Sequence, residues 1–122
     1  MPRKILIIED DPTMLKILQS RLLEEGVEVL IAVDPDEGIR KAKEEAPDLV
    51  VLDVITQGKS GVEVLEELKS KDKTKNIPVI VFTITEEEKI RKKMFELGAT
   101  DFIIKGVVPL EEVVKRLMDI VG

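Results

Sequence analysis

Short, wholly apolar runs alternate along this chain with longer stretches whose apolar residues recur at helical spacing. The runs are Ile5-Leu6-Ile7-Ile8, Leu49-Val50-Val51-Leu52, Ile77-Pro78-Val79-Ile80-Val81-Phe82 and Phe102-Ile103-Ile104. Continuous rather than alternating hydrophobicity marks strands buried on both faces, as in a parallel sheet covered by helices. Val27 to Val33 alternates before it turns apolar, which predicts a strand nearer the sheet edge. Strands are therefore expected at 4–9, 27–33, 48–53, 77–82 and 101–105.

The stretches between them carry helix punctuation. Asp11 is placed to cap a helix that opens with Pro12, runs to about Glu25 and stops at Gly26. Leu15, Leu18, Leu22 and Leu23 form its apolar stripe, which Met14 and Ile17 broaden beyond one buried face. Asp34 and Pro35 open a second helix, which ends near Glu45 before Ala46-Pro47. A third is expected from about Val62 to Lys71, with Val64, Leu65 and Leu68 inward. A fourth spans Glu86 to Leu97, acids first and bases after, as the helix dipole favours. Pro109 opens a fifth, through about Ile120, with Val113, Val114, Leu117 and Met118 inward. Strict alternation over five units predicts an α/β fold, (βα)5, with helices on both faces of a parallel sheet. The expected strand order is 2-1-3-4-5, which places a ligand site at the carboxyl edge between strands one and three. No repeat, linker or low-complexity segment divides the chain, so 1–122 reads as a single domain.

Composition narrows the chemistry. The chain has no Cys and no His, so any reaction must rest on carboxylates, hydroxyls, Lys and Arg. Its net charge of −6 disfavours nonspecific binding to nucleic acid or an anionic membrane. No apolar stretch is long enough for a signal-peptide core or a membrane span, which makes a soluble cytoplasmic location the expectation.

The apolar runs end in polar groups. Glu9-Asp10-Asp11 follows the first, Asp53 the third strand, Thr83 the fourth and Lys105 the fifth. Singly, the acidic turn reads as a helix cap, Thr83 as a turn residue and Lys105 as a solvated charge. Asp53 is the most informative, because an acid directly after an apolar strand must leave the core. In a parallel sheet all of these ends meet. Asp10, Asp11 and Asp53 are expected within a few ångströms, where like charges about 4 Å apart repel by roughly 4 kcal/mol at an effective dielectric near 20. Lys105 offsets one charge; the remainder calls for a hard divalent cation, with Mg2+ the best match to oxygen-only ligands. A carboxylate so placed can accept a phosphoryl group without a base. The cation and Lys105 would balance the transferred oxygens, and the Thr83 hydroxyl could donate to them.

With these residues in hand, the chain resembles the receiver domain of two-component response regulators, over essentially its whole length. The matching pieces are Ile7-Ile8-Glu9-Asp10-Asp11, Asp53 with Gly61 following, Val81-Phe82-Thr83, and Gly98-Ala99-Thr100-Asp101-Phe102-Ile103-Ile104-Lys105. The resemblance implies a flavodoxin-like three-layer sandwich. It implies Asp53 as phosphoacceptor, served by a histidine kinase or histidine phosphotransfer protein. Asp11 and Asp53, with the backbone carbonyl of Ile55, would bind Mg2+ directly, and Asp10 through water. Thr83 and Lys105 would contact the phosphoryl oxygens, and Phe102 would turn inward as Thr83 moves. The output would be a shift in the surface of helix four, strand five and helix five, read by a downstream protein. Such a domain promotes its own phosphorylation and dephosphorylation and is not a turnover enzyme; no direct nucleic-acid contact or membrane insertion is expected.

The chain departs from the family pattern at Gly106, where a cis proline is usual, at Ile84, where a small residue is usual, and at Gln57, where proline is common. A trans Lys105–Gly106 bond and a reshaped loop are expected, since a cis bond to a non-proline costs about 2.5–4 kcal/mol. Ile84 is expected to narrow access to Asp53. These departures keep a second reading open, a receiver-like protein-binding module with impaired or absent phosphorylation switching. A small Mg2+-dependent phosphatase would instead carry Asp-x-Asp after strand one, and Thr13 is not an acid. A flavin carrier would need a phosphate loop and ring-stacking Trp or Tyr, which the chain lacks.

Overall fold

The computed structural model describes residues 2–55 and 58–122. Five parallel strands, β1 (Lys4–Ile8), β2 (Glu28–Ala32), β3 (Leu49–Leu52), β4 (Val79–Thr83) and β5 (Asp101–Ile104), form one sheet in the order β2-β1-β3-β4-β5. They alternate with α1 (Pro12–Glu24), α2 (Pro35–Glu45), α3 (Gly61–Ser70), α4 (Glu88–Glu96) and α5 (Leu110–Val121). The expected architecture and strand order are both present.

The apolar runs are buried because consecutive side chains supply opposite faces of the sheet. Ile5, Ile7, Leu49, Val51, Ile80 and Ile103 pack with α1 and α5. Leu6, Ile8, Val50, Leu52, Val79 and Val81 pack with α2, α3 and α4. The result is three layers with two cores.

Element ends follow local hydrogen bonding. Asp11 caps α1 by accepting from the Thr13 N–H (3.0 Å), and Asp34 caps α2 through the Glu37 N–H (2.9 Å). α3 begins one residue before the expected start, because Ser60 and Glu63 form a reciprocal capping box. α4 begins two residues late: the Thr85 hydroxyl accepts from the Glu87 N–H (3.3 Å) and holds a turn ahead of it. β4 is shifted to Val79–Thr83. Pro78 has no N–H to give, and Ile77 donates to Thr74 (3.0 Å) in the preceding turn. Leu23, expected in the buried stripe of α1, is exposed; Leu15, Leu18 and Leu22 are the buried residues that α1 gives to that core, with Met14 packed against it.

Gly61 is required by packing. A Cβ there would lie 2.4 Å from the Val54 Cα, so the start of α3 can approach the exit of β3 only without a side chain.

Candidate functional site

Strand register builds the site. β1 and β3 pair in step, Ile8 opposite Leu52, and the ladder extends one residue further: the Asp53 N–H donates to Ile8 (3.2 Å). The Glu9 N–H donates to Ala32 (3.0 Å) on the other side. Glu9 and Asp53 therefore leave adjacent strands side by side. Thr83 pairs with Ile104, and the Lys105 N–H donates to the Thr83 carbonyl (2.7 Å), which sets Lys105 at the same edge.

The Lys105 ammonium joins both acids. It donates to Asp53 Oδ2 at 3.0 Å and to Glu9 Oε1 in a short contact. Asp53 Oδ1 accepts from the Ile55 N–H (3.0 Å), and Glu9 Oε2 from the Asp11 N–H (3.2 Å). The Lys105, Glu9 and Asp53 side chains are 9%, 3% and 7% exposed, so these pairs are largely shielded from water. Burial lifts the Glu9 carboxyl above its ordinary range, and the Asp53 charge adds to this against the pull of Lys105. Burial opposes the charged form of Lys105, but its hydrogen bonds to Glu9 and Asp53 outweigh that and raise its pKa. The ammonium also lies 5.5 Å from the centre of the Phe82 ring.

The acids that converge are not the three the sequence suggested. One oxygen each of Glu9, Asp10 and Asp53 lie within 4.8 Å of one another. Asp11 borders the same cleft, but its carboxylate is turned to the first turn of α1 as the helix cap. Glu9 is the residue that sequence reasoning missed. Its signal was available: with Pro12 at the start of a helix, Asp11 becomes the cap, and the acids left to face Asp53 are the two before it.

The cleft has a volume of about 430 Å3. Beside the charged groups it is lined by Met14, Ile55, Ile84 and Gly106. Ile84 is 65% exposed and Ile55 52%, so the mouth of an acidic site is apolar. The Lys105–Gly106 bond is trans, and Gly106 takes a φ of 81°, a conformation proline cannot adopt. Val107 and Val108 then both donate to the Ile104 carbonyl (3.3 and 3.4 Å), closing a tight turn. Thr83 is fully buried, and its hydroxyl has no hydrogen-bond partner among the described residues. Phe102 is already inside, in the core it shares with Val81 and Met94. Gln57 lies outside the described residues, as does its neighbour Thr56.

Three carboxylates faced by one ammonium leave two negative charges on oxygen-only donors. That donor set fits a hard divalent cation and gives a soft metal nothing to bind.

Comparison with known proteins agrees with this fold. The family model described as response regulator receiver domain matches residues 5–118. The alkaline phosphatase synthesis transcriptional regulatory protein PhoP of Bacillus subtilis is 35% identical over 111 residues, 91% of this chain and 45% of that protein. The phosphate regulon transcriptional regulatory protein PhoB of Escherichia coli is 34% identical over 115 residues, 94% of this chain and 50% of that one. The chain thus spans about half the length of these relatives. A crystal structure of a putative response regulator from Chloroflexus aurantiacus superposes with a TM-score of 0.89 at 28% identity, covering 99% of this chain and 98% of the other.

Proposed function

The chain belongs to the response regulator receiver domain family, and from that premise we propose that Asp53 accepts a phosphoryl group from a phosphohistidine on a partner histidine kinase or histidine phosphotransfer protein. The observation that carries this reading is the buried Lys105 ammonium on Asp53, with Glu9 and Asp10 beside it at the same sheet edge. In the transfer an Asp53 oxygen forms the new O–P bond as the donor's P–N bond breaks, and the bonding pair leaves with the imidazole nitrogen. No base is needed, since a carboxylate nucleophile has no proton to give up in the step.

Lys105 is placed to follow the charge from the carboxylate to the phosphoryl oxygens. Glu9, Asp10, Asp53 and the Ile55 carbonyl would hold Mg2+, which supplies the remaining positive charge when bound. Asp11 stays on its helix as the cap. The Thr83 hydroxyl, without a partner among the described residues, supports a switch. A buried hydroxyl without a partner costs about 1–3 kcal/mol, and an acyl phosphate would offer it an acceptor. The state in which Thr83 reaches the phosphoryl group is thereby favoured, and the surface around Phe102, α4, β5 and α5 shifts with it toward a downstream protein. Residues 1–122 act as one receiver domain that promotes its own phosphorylation and dephosphorylation, in the cytoplasm, with no turnover of an external substrate.

The test uses the whole chain with Mg2+ and a small-molecule phosphodonor, read by intact mass. We expect a single phosphoryl adduct that Asp53→Ala abolishes. An equal adduct on Asp53→Ala overturns the assignment, and no adduct on the parent chain favours the binding-module reading, to which the apolar mouth at Ile84 lends support.

A further inference from the structure

We propose that the free edge of β2 is a self-complementary surface for a second copy of this chain, and that Glu37 and Lys41 of α2 hold it closed.

β2 is the last strand on its side of the sheet among the described residues. The Glu28 N–H donates to the Arg3 carbonyl (2.7 Å), and the Ala32 carbonyl accepts from the Glu9 N–H (3.0 Å). Glu28 and Ala32 thus turn their backbone groups toward β1. With a period of two, Val29, Ile31 and Val33 turn theirs outward. Such a row is a template for another strand. Val29, Leu30 and Ile31 are half-buried, so each keeps apolar surface at the edge. Two copies of the strand, antiparallel about a two-fold axis, place Leu30 opposite Leu30, Val29 opposite Ile31 and Glu28 opposite Ala32. Apolar groups then meet apolar ones, and no like charges stand directly opposite.

α2 stands in the way. The Lys41 ammonium donates to the Ile31 carbonyl, and the Val33 N–H donates to Glu37 Oε1 (3.1 Å). The two side chains lie one helical turn apart and pair with each other at 3.9 Å. Their place follows from the start of the helix. Asp34 accepts from the Glu37 N–H, which fixes Glu37 beside Val33 and Lys41 one turn further along. In the two-fold register a Val29 N–H bonds the opposing Ile31 carbonyl, twice over, and Lys41 holds that carbonyl in each copy. A second copy can bond there only by displacing the ammonium from its backbone acceptor.

Sedimentation equilibrium of the whole chain, with hydrogen exchange at the Val29 and Ile31 amides at low and high protein concentration, tests this. Lys41→Met keeps much of the stem and removes the donor. It should self-associate about tenfold more tightly than the parent. Protection of the two amides should rise with concentration. Lys41→Arg, which can still donate, should match the parent, and adding Glu37→Ala to Lys41→Met should tighten association further. Equal association of Lys41→Met and the parent overturns the proposal. Tighter association that leaves the two amides unprotected also overturns it, because the contact then lies on another face. Concentration-dependent protection of those amides in the parent would show the edge already open and overturn the closing role of Lys41. If Lys41→Met does not fold, Lys41→Leu carries the same expectation.

Discussion

Ile84 shows how one side chain can set the access to a buried reaction. It follows Thr83 directly, so it emerges where the polar strand ends converge, and it stands exposed over the cleft holding Asp53 and Lys105. A β-branched side chain there is stiff and cannot fold aside without cost. Ile84→Ala should speed phosphorylation by a small phosphodonor and hydrolysis of the product, each several-fold, because both must enter by that mouth. Unchanged rates for both steps would remove Ile84 from the account. The acids give the complementary lesson. Asp53 was legible because an acid after Leu49-Val50-Val51-Leu52 has one place to go. Glu9, Asp10 and Asp11 are consecutive and chemically alike, and only the start of α1 decides which of them faces inward.

Among the elements, α3 and α4 differ most in how they are held. α3 has a full capping box and buries Gly61, Val64, Leu65 and Leu68. α4 has no side-chain cap and buries Met94 alone. Its fast-exchanging end should therefore lie close to Thr83. Native-state hydrogen exchange should show the α4 amides opening at lower free energy than those of α3. Equal protection would mean that α4 is anchored by more than Met94. The bounds of both helices were misjudged for the same reason. Apolar periodicity marks the middle of a helix, whereas its first residue is set by a cap, Ser60 in one case and the Thr85 turn in the other.

At the scale of the molecule, α1 and α5 cover one face of the sheet and are tied by a forked contact of Arg21 with both oxygens of Glu111. Arg21 holds the Glu111 carboxyl below its ordinary value of 4.5. A carboxyl depressed on folding contributes stability above its unfolded pKa and loses it as the pH falls through the folded one. Glu111→Gln should therefore be less stable than the parent at neutral pH, and the gap should close on acidification below about pH 4.5. Glu9, raised by burial, contributes a slope of opposite sign to both proteins and cancels in the comparison. Thermal melts across that range check it; a gap independent of pH would assign the loss to packing rather than to the ion pair.

Local pattern was enough for the five strands, the five helices and the polar residues that end the strands, while the strand order was expected from the general rule for alternating (βα)5 chains. The elements and their polar ends depend on side-chain period and on turn and cap residues, all of which act over a few positions. Tertiary structure alone decided the partners. Lys105 meets Glu9, 96 positions away, because four strands align in one register. The Thr83 hydroxyl is left without a partner among the described residues and Phe102 is drawn into the core because layers from distant segments close around them. A side chain's partner is a property of what the rest of the chain brings to it, and no window along the sequence contains that.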